Sequence, residues 1–291
     1  MNRLDVINLT KKYGDKYALK NFSFTISDGE IVGLLGKSNA GKTTLLNCIA
    51  GNIIPDSGEL IFNGINLLNH PHERKSIGIL VEASFIDYLS AYENFQALMY
   101  ISGSTRSHAN RETIEKTLAA VDLQSFKEKL VAGFSFGTKQ KLGFAQTLLN
   151  GQKMLILDEP FAGLDAQSRR IVKDKIKNIV ATHNIGVLIS EHTLDNVKDI
   201  CDRVICIEHG QKIYDGIMSD ETIYYITVDR VAPDMLSLLP EAGSTVDEVN
   251  NTIQVIGNSK LSDILKLIAG FSNILKIEST QDSLAKFLKE G

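Results

Sequence analysis

An α/β fold on a buried parallel sheet, with a small β lobe, an inserted helical lobe and a smaller α+β unit behind them, is predicted by three observations. Short apolar runs, IVGLLG at 31–36, MLIL at 154–157 and the start of VLISEH at 187–192, read as strands covered on both faces. Helical periodicity separates the last two in QSRRIVKDKIKNIVATH, and strand–helix alternation is the sequence mark of a parallel sheet. Beyond residue 220 the pattern changes to shorter alternating segments that hold none of the glycine motifs found earlier.

The elements follow in order. NRLDVINL at 2–9 and residues 22–26 alternate apolar and polar side chains, as half-buried strands do. DGEIVGLLG at 28–36 feeds a glycine-containing turn and then a helix, KTTLLNCIAG, which stops at Gly51. SGELIFNG at 57–64 reads as an edge strand. Between about 83 and 150 the pattern is mainly helical, with amphipathic pieces AYENFQALMYI, HANRETIEKTLAAV and TKQKLGFAQTLLN. RVICIEHGQKIYDG at 203–216 reads as a hairpin with Gly210 in its turn. The remainder reads as strand 223–229, helix 233–239, strand 244–249, an Asn250-Asn251 turn, strand 252–256, helix 259–269, strand 273–278 and helix 281–289. That β-α-β-β-α-β order is the ferredoxin-like one. The expected domains are therefore 1–220 and 221–291.

Bulk properties narrow the function. The chain has 291 residues, 43% hydrophobic and 23% charged, which is ordinary for a globular protein with an ample core. A net charge of −4 gives no basic excess to favour nucleic acid as a partner. Cys48, Cys201 and Cys206 are an odd, scattered set that fits reduced thiols, and no pair has zinc-like spacing. No apolar stretch approaches the length of a membrane span and the N-terminus has no secretory pattern, so a link to a membrane is expected to come through a partner. His70 and His72, in an HPHE turn, are read as solvated loop residues, not metal ligands.

Two motifs carry chemistry. GKSNAGKT at 36–43 matches G-x-x-x-x-G-K-[ST] between a buried strand and a helix. Glycine is needed where backbone N–H groups curl around phosphate oxygens, and the helix N-terminus favours the anion. Gly36, Lys37, Ser38, Asn39, Ala40, Gly41, Lys42, Thr43 and Thr44 are thus the candidate phosphate-binding residues. Lys42 is expected on the β- and γ-phosphates and the Thr43 hydroxyl on Mg²⁺. A plain glycine turn would not explain Lys-Thr at this point. MLILDEP then places Asp158 at a strand end, to hold Mg²⁺, with Glu159 next to it to polarise the attacking water.

With these motifs the chain resembles an ATP-binding cassette subunit of ABC transporters, over roughly residues 2–220. The resemblance implies a P-loop NTPase (RecA-like) fold, ATP and Mg²⁺ as ligands, and ATP hydrolysis. It implies adenine stacking for Tyr13 in KKYGDKYALKN, a γ-phosphate contact for His192 at the end of ISEH, and a loop FAGLDA that meets the opposite subunit. FSFGTKQ at 134–140 resembles the signature motif, so Ser135 and Gly137 would complete the ATP site of a second cassette, either an identical chain or a similar subunit. Such a pair would serve a separate permease from the cytoplasmic face of the membrane.

Three departures from the family pattern stand out. Asn39 replaces a usual glycine, and Asn tolerates positive φ better than other side chains. Phe136 and Thr138 stand where the signature usually has Gly and often Gln. Glu82, in IGILVEASFIDYLSAYEN, stands where the family has a glutamine near Mg²⁺, and is therefore a third candidate metal ligand. Glu82, the S-x-G-x-K-Q signature and the closing QDSLAKFL resemble the branch serving lantibiotic immunity, bacitracin resistance and peptide-toxin export, which implies an ABC-2-type permease and a peptide cargo. The alternative reading is a non-transport cassette acting on ribosomes or DNA; a single cassette without coiled-coil insertion or basic patch argues against it. A catalytically dead cassette is opposed by the presence of Glu159 and His192.

Overall fold

The computed structural model describes residues 2–101, 108–149, 152–217, 223–239, 244–247, 251–256 and 261–279. By internal contacts the chain divides into two compact units, Met1–Met218 and Ser219–Gly291.

In the first unit, β1 (Arg3–Tyr13) and β2 (Lys16–Ser27) form a long antiparallel hairpin. Both exceed the strands read from sequence, because Gly14 at φ 59° turns the chain tightly enough for pairing to continue to Tyr13 and Lys16. Next come β3 (Ile31–Leu35), α1 (Lys42–Ala50), β4 (Ser57–Phe62), the two-residue β5 (Ile65–Asn66) and β6 (Ile77–Leu80). The helical segment holds α2 (Ala91–Ile101), α3 (His108–Ala119) and α4 (Phe136–Gln146). β7 (Met154–Asp158), α5 (Ala166–His183), β8 (Gly186–Glu191), β9 (Arg203–Glu208) and β10 (Gln211–Ile217) complete the unit.

Local chemistry fixes the helix ends. Ser90 and Glu93 make a capping box before α2: the Ser90 N–H donates to Glu93 Oε2 at 2.8 Å and the Glu93 N–H to Ser90 Oγ at 3.2 Å. Asp165 caps α5 by accepting from the Ser168 N–H at 2.7 Å, and Val172, Ile176 and Val180 line its buried stripe. Ser135 caps α4, so that helix starts at Phe136, two positions before the expected piece.

Strands β2-β1-β4-β5 form an antiparallel sheet, and β10-β9-β3-β8-β7-β6 form the central one. In the central sheet β9, β3, β8, β7 and β6 run parallel, while β10 is antiparallel at the edge. Parallel register sets Leu35 beside Glu191 and Asp158 beside Ser190, so β3, β8 and β7 end together. In such sheets ligands bind beyond the carboxyl ends of the strands. A core including Phe22, Phe62, Leu34, Leu45, Ile156 and Leu188 joins both sheets through α1. Cys48, Cys201 and Cys206 are all buried and unbridged. Burial pushes the Cys48 thiol up to about 11, Cys206 to about 12, and Cys201 upward as well.

The second unit contains β11 (Ile223–Val228), α6 (Pro233–Leu238), β12 (Ser244–Asp247), β13 (Thr252–Ile256), α7 (Leu261–Ala269) and β14 (Ile274–Ser279). Its antiparallel sheet runs β12-β13-β11-β14. Ile226, Val228, Ile253 and Val255 share one core with Met235 and Leu239 near α6 and with Ile264 and Ile268 of α7. The helix expected at 281–289 lies outside the described residues.

Candidate functional site

β3 ends at Leu35 and the chain turns through Lys37–Gly41 before α1 begins at Lys42. The turn uses left-handed backbone twice, at Asn39 (φ 62°) and Gly41 (φ 115°). A Cβ on Gly41 would lie 2.4 Å from the Ala18 carbonyl, and one on Gly36 would lie 2.6 Å from the Ile207 carbonyl. The loop therefore follows the backbone of β2 and β9 too closely for side chains at those two positions.

Lys42 is 4% exposed. Its Nζ donates to the carbonyls of Gly36 at 2.7 Å and Lys37 at 3.2 Å, and lies 3.1 Å from His192 Nδ1. Burial holds the ammonium below the usual lysine range, and nearby Glu159, Asp158 and Glu191 pull it back up. His192 Nε2 lies 2.5 Å from Glu159 Oε1. An ammonium can only donate and a carboxylate only accept, so the partners select the imidazole tautomer with its proton on Nε2. The result is one directed chain, Lys42 to His192 to Glu159, across three strand ends.

Glu159 is itself in left-handed backbone, at φ 43°. Its N–H donates to the Ser190 carbonyl at 3.2 Å and to Ser190 Oγ at 3.1 Å, while its carbonyl accepts from Gln140 Nε2 at 2.9 Å. The Ser190 hydroxyl in turn donates to Asp158 Oδ1. Ser190 and Gln140 are the orienting residues that the motif reading missed. Both act through partners distant in sequence, which no local spacing reveals.

A cavity of ≈ 510 Å³ opens over this chain, lined by Tyr13, Lys16, Tyr17, Ala18, Ser38, Asn39, Gly41, Lys42, Thr43, Thr44, Glu159 and His192. Tyr13 is 54% exposed and Tyr17 39%; the Lys11 ammonium lies 5.8 Å from the Tyr13 ring centre, and those of Lys12 and Lys20 lie 4.3 and 5.5 Å from the Tyr17 ring centre. Lys16, Tyr17 and Ala18 are additions to the expected set; they come with Tyr13 because the β1–β2 hairpin closes between them. The cavity fits a nucleoside triphosphate, since its lining combines a buried cation and a helix start with two aromatic rings. Thr43 lies in the lining and Asp158 at the end of β7, an oxygen set suited to Mg²⁺. No group of three or more His, Cys, Asp or Glu among the described residues is poised to hold a metal by itself. Mg²⁺ characteristically shares phosphate ligands in this way.

Ser135, Gly137 and Glu82 are not brought to this cavity. Ser135 caps α4, where its Oγ accepts from the Thr138 N–H at 3.2 Å. Gly137 packs on the 159–164 loop: a Cβ there would lie 2.5 Å from the Gly163 carbonyl. Glu82 is exposed, beyond β6, with φ 52°.

Comparison with known proteins agrees with this geometry. The sequence model of a family described as ABC transporter matches residues 19–162. The chain is 36% identical to an uncharacterised ABC transporter ATP-binding protein, YdbJ of Bacillus subtilis, over 72% of this chain and 67% of that one. It is 35% identical to the phosphonates import ATP-binding protein PhnC of Treponema denticola, over 79% of this chain and 97% of that one. It is 32% identical to the lipopolysaccharide export system ATP-binding protein LptB of Haemophilus influenzae, over 77% and 95%. A solved ATP-binding subunit of an ABC transporter superposes with a TM-score of 0.68 at 27% identity, covering 75% of this chain and 90% of that one. The chain belongs to the ABC transporter family as one of its ATP-binding cassettes, which dimerise, bind ATP with Mg²⁺, hydrolyse it and work with a membrane permease.

Proposed function

We propose that this cassette powers the export of peptides through an ABC-2-type permease, docking on the cytoplasmic face of the membrane as one of two cassettes. The observation that carries the catalytic part is the convergence of Lys42, His192 and Glu159 beneath a cavity rimmed by two tyrosines. Lys42 and the loop N–H groups of 36–44 bind the phosphates, and Tyr13 stacks on the base. Mg²⁺, when bound, would offset phosphate charge, and Thr43 and Asp158 are the residues that would hold it, joined by Glu82 once the loop beyond β6 brings that carboxylate to the cavity. Glu159 takes a proton from the water that attacks the γ-phosphorus as the bond to the ADP oxygen breaks. Ser190 and Gln140 keep its backbone fixed, and His192 keeps its carboxylate aimed. Ser135 and Gly137, at the start of α4 and outside the lining of their own chain's cavity, are left to serve the ATP of the second cassette.

Glu159→Gln tests this site. The amide cannot accept the proton, so turnover should fall by roughly 10²–10⁴-fold. ATP binding should persist and size exclusion with ATP should show more dimer; near-normal turnover would remove Glu159 from its role. The peptide reading rests on Glu82, on the S-x-G-x-K-Q signature and on QDSLAKFL, whose residues lie outside the described ones. The named relatives act with varied cargo, phosphonates and lipopolysaccharide among them. ATPase assays on the cassette copurified with its permease, with and without candidate peptides, decide it: a rate unmoved by any peptide rejects that cargo class.

A further inference from the structure

Glu191 is the last residue of β8, immediately before His192, and it is 4% exposed. A carboxyl group in such a place costs free energy that an apolar side chain would not, so it calls for a reason. Burial raises its proton affinity above the usual carboxylate range. Its Oε2 accepts from Asn196 Nδ2 at 2.9 Å, while Oε1 has no hydrogen-bond partner among the described residues. Asn196 lies just past His192, so this bond closes the segment 191–196 into a ring with His192 in it.

Asn196 faces a second, half-buried group. Its Oδ1 accepts from Arg169 Nη1 at 3.3 Å, and Arg169 Nη2 donates to the Leu164 carbonyl at 3.5 Å. Arg169 Nε, like Glu191 Oε1, is buried without a partner. Leu164 ends the turn that begins at Glu159. The loops carrying Glu159 and His192 are thus joined twice: in front by the contact between those two side chains, and behind by Leu164, Arg169, Asn196 and Glu191. The rear link is not optimised as a static support. It leaves an acceptor on one end and a donor on the other unspent, while Asn196 is oriented by both ends at once, its Nδ2 toward the carboxylate and its Oδ1 toward the guanidinium.

We propose that Glu191 is a positioning residue that, through Asn196 and Arg169, ties the 159–164 loop to the ring holding His192, so that a movement of that loop re-aims the imidazole. The link rests on the assignment of Glu159 and His192 above. It touches no nucleotide, so its removal should act on turnover and not on binding.

Three substitutions separate positioning from filling. Glu191→Gln keeps the acceptor for Asn196, Glu191→Leu keeps the volume without it, and Arg169→Leu cuts the far end. In the full-length chain, Glu191→Leu and Arg169→Leu should each lower kcat by about tenfold with KM for ATP within about twofold, and Glu191→Gln should stay within about threefold of wild type. The double variant should lose no more than the worse single one, because both cut the same chain. Ring-nitrogen NMR signals of His192, assigned with His192→Ala, should shift in Glu191→Leu and Arg169→Leu and hold in Glu191→Gln. Leu and Gln variants that behave alike, or multiplicative losses in the double variant, overturn the proposal. Unmoved ring signals also overturn it, even if a variant is less stable. A wild-type chain whose Glu159→Gln variant retains turnover, but whose His192 signals shift as described, refutes the catalytic assignment and leaves the link standing.

Discussion

Lys42 and Tyr13 line one cavity and bring different physics to it. Lys42 brings a charge into a buried position, where a polyanion gains most from it. Tyr13 brings an exposed ring, for which base stacking is worth roughly 1–3 kcal/mol. Lys42→Ala should therefore abolish most nucleotide affinity and Tyr13→Ala only part, read by titration with a fluorescent ATP analogue. An unchanged affinity in Tyr13→Ala would refute the stacking role. Legibility at this scale follows sequence separation. The 36–44 loop was readable because its residues are neighbours, and even Asn39 at φ 62° obeyed the preference of Asn for left-handed backbone. Ser190 and Gln140 were not readable, since their bonds to Glu159 span 31 and 19 positions.

α5 shows how a single side chain organises an element. Asp165 is its N-cap, and the Ser168 N–H holds that carboxyl below the usual range. A depressed folded value means the contribution is complete above the unfolded carboxyl value, near about 4, and fades as pH falls through the folded one. Asp165→Ala should lower Tm at neutral pH, and the gap from wild type should narrow in acid; Asp165→Asn, which can still accept, should stay close to wild type. A gap that widens in acid would contradict the cap. Strong periodicity made α5 readable, ending at His183 as expected. β6 escaped the reading because IGIL is four residues long without turn residues on both sides, and pairing with β7 makes it a strand. The two-residue β5 exists only as a partner to β4.

The two compact units carry separate cores, one joining the sheets of the cassette and one confined to β11–β14 with α6 and α7. Every lining residue of the nucleotide cavity belongs to the first unit. Deleting 219–291 should therefore leave ATP affinity unchanged while altering assembly or its regulation, measured by nucleotide titration and by sedimentation of the truncated chain with ATP. A folded truncation that fails to bind ATP would show that the second unit contributes to the site. The buried cysteines have a practical corollary. All three lie in the cassette, with thiols shielded from solvent and reluctant to ionise, so maleimide should label the native protein slowly and all three positions quickly in denaturant. The wild-type chain is then its own blank for spectroscopy. A cysteine introduced on the surface would take a dye or spin label almost alone, and the slow background reaction would clock how often the cassette opens.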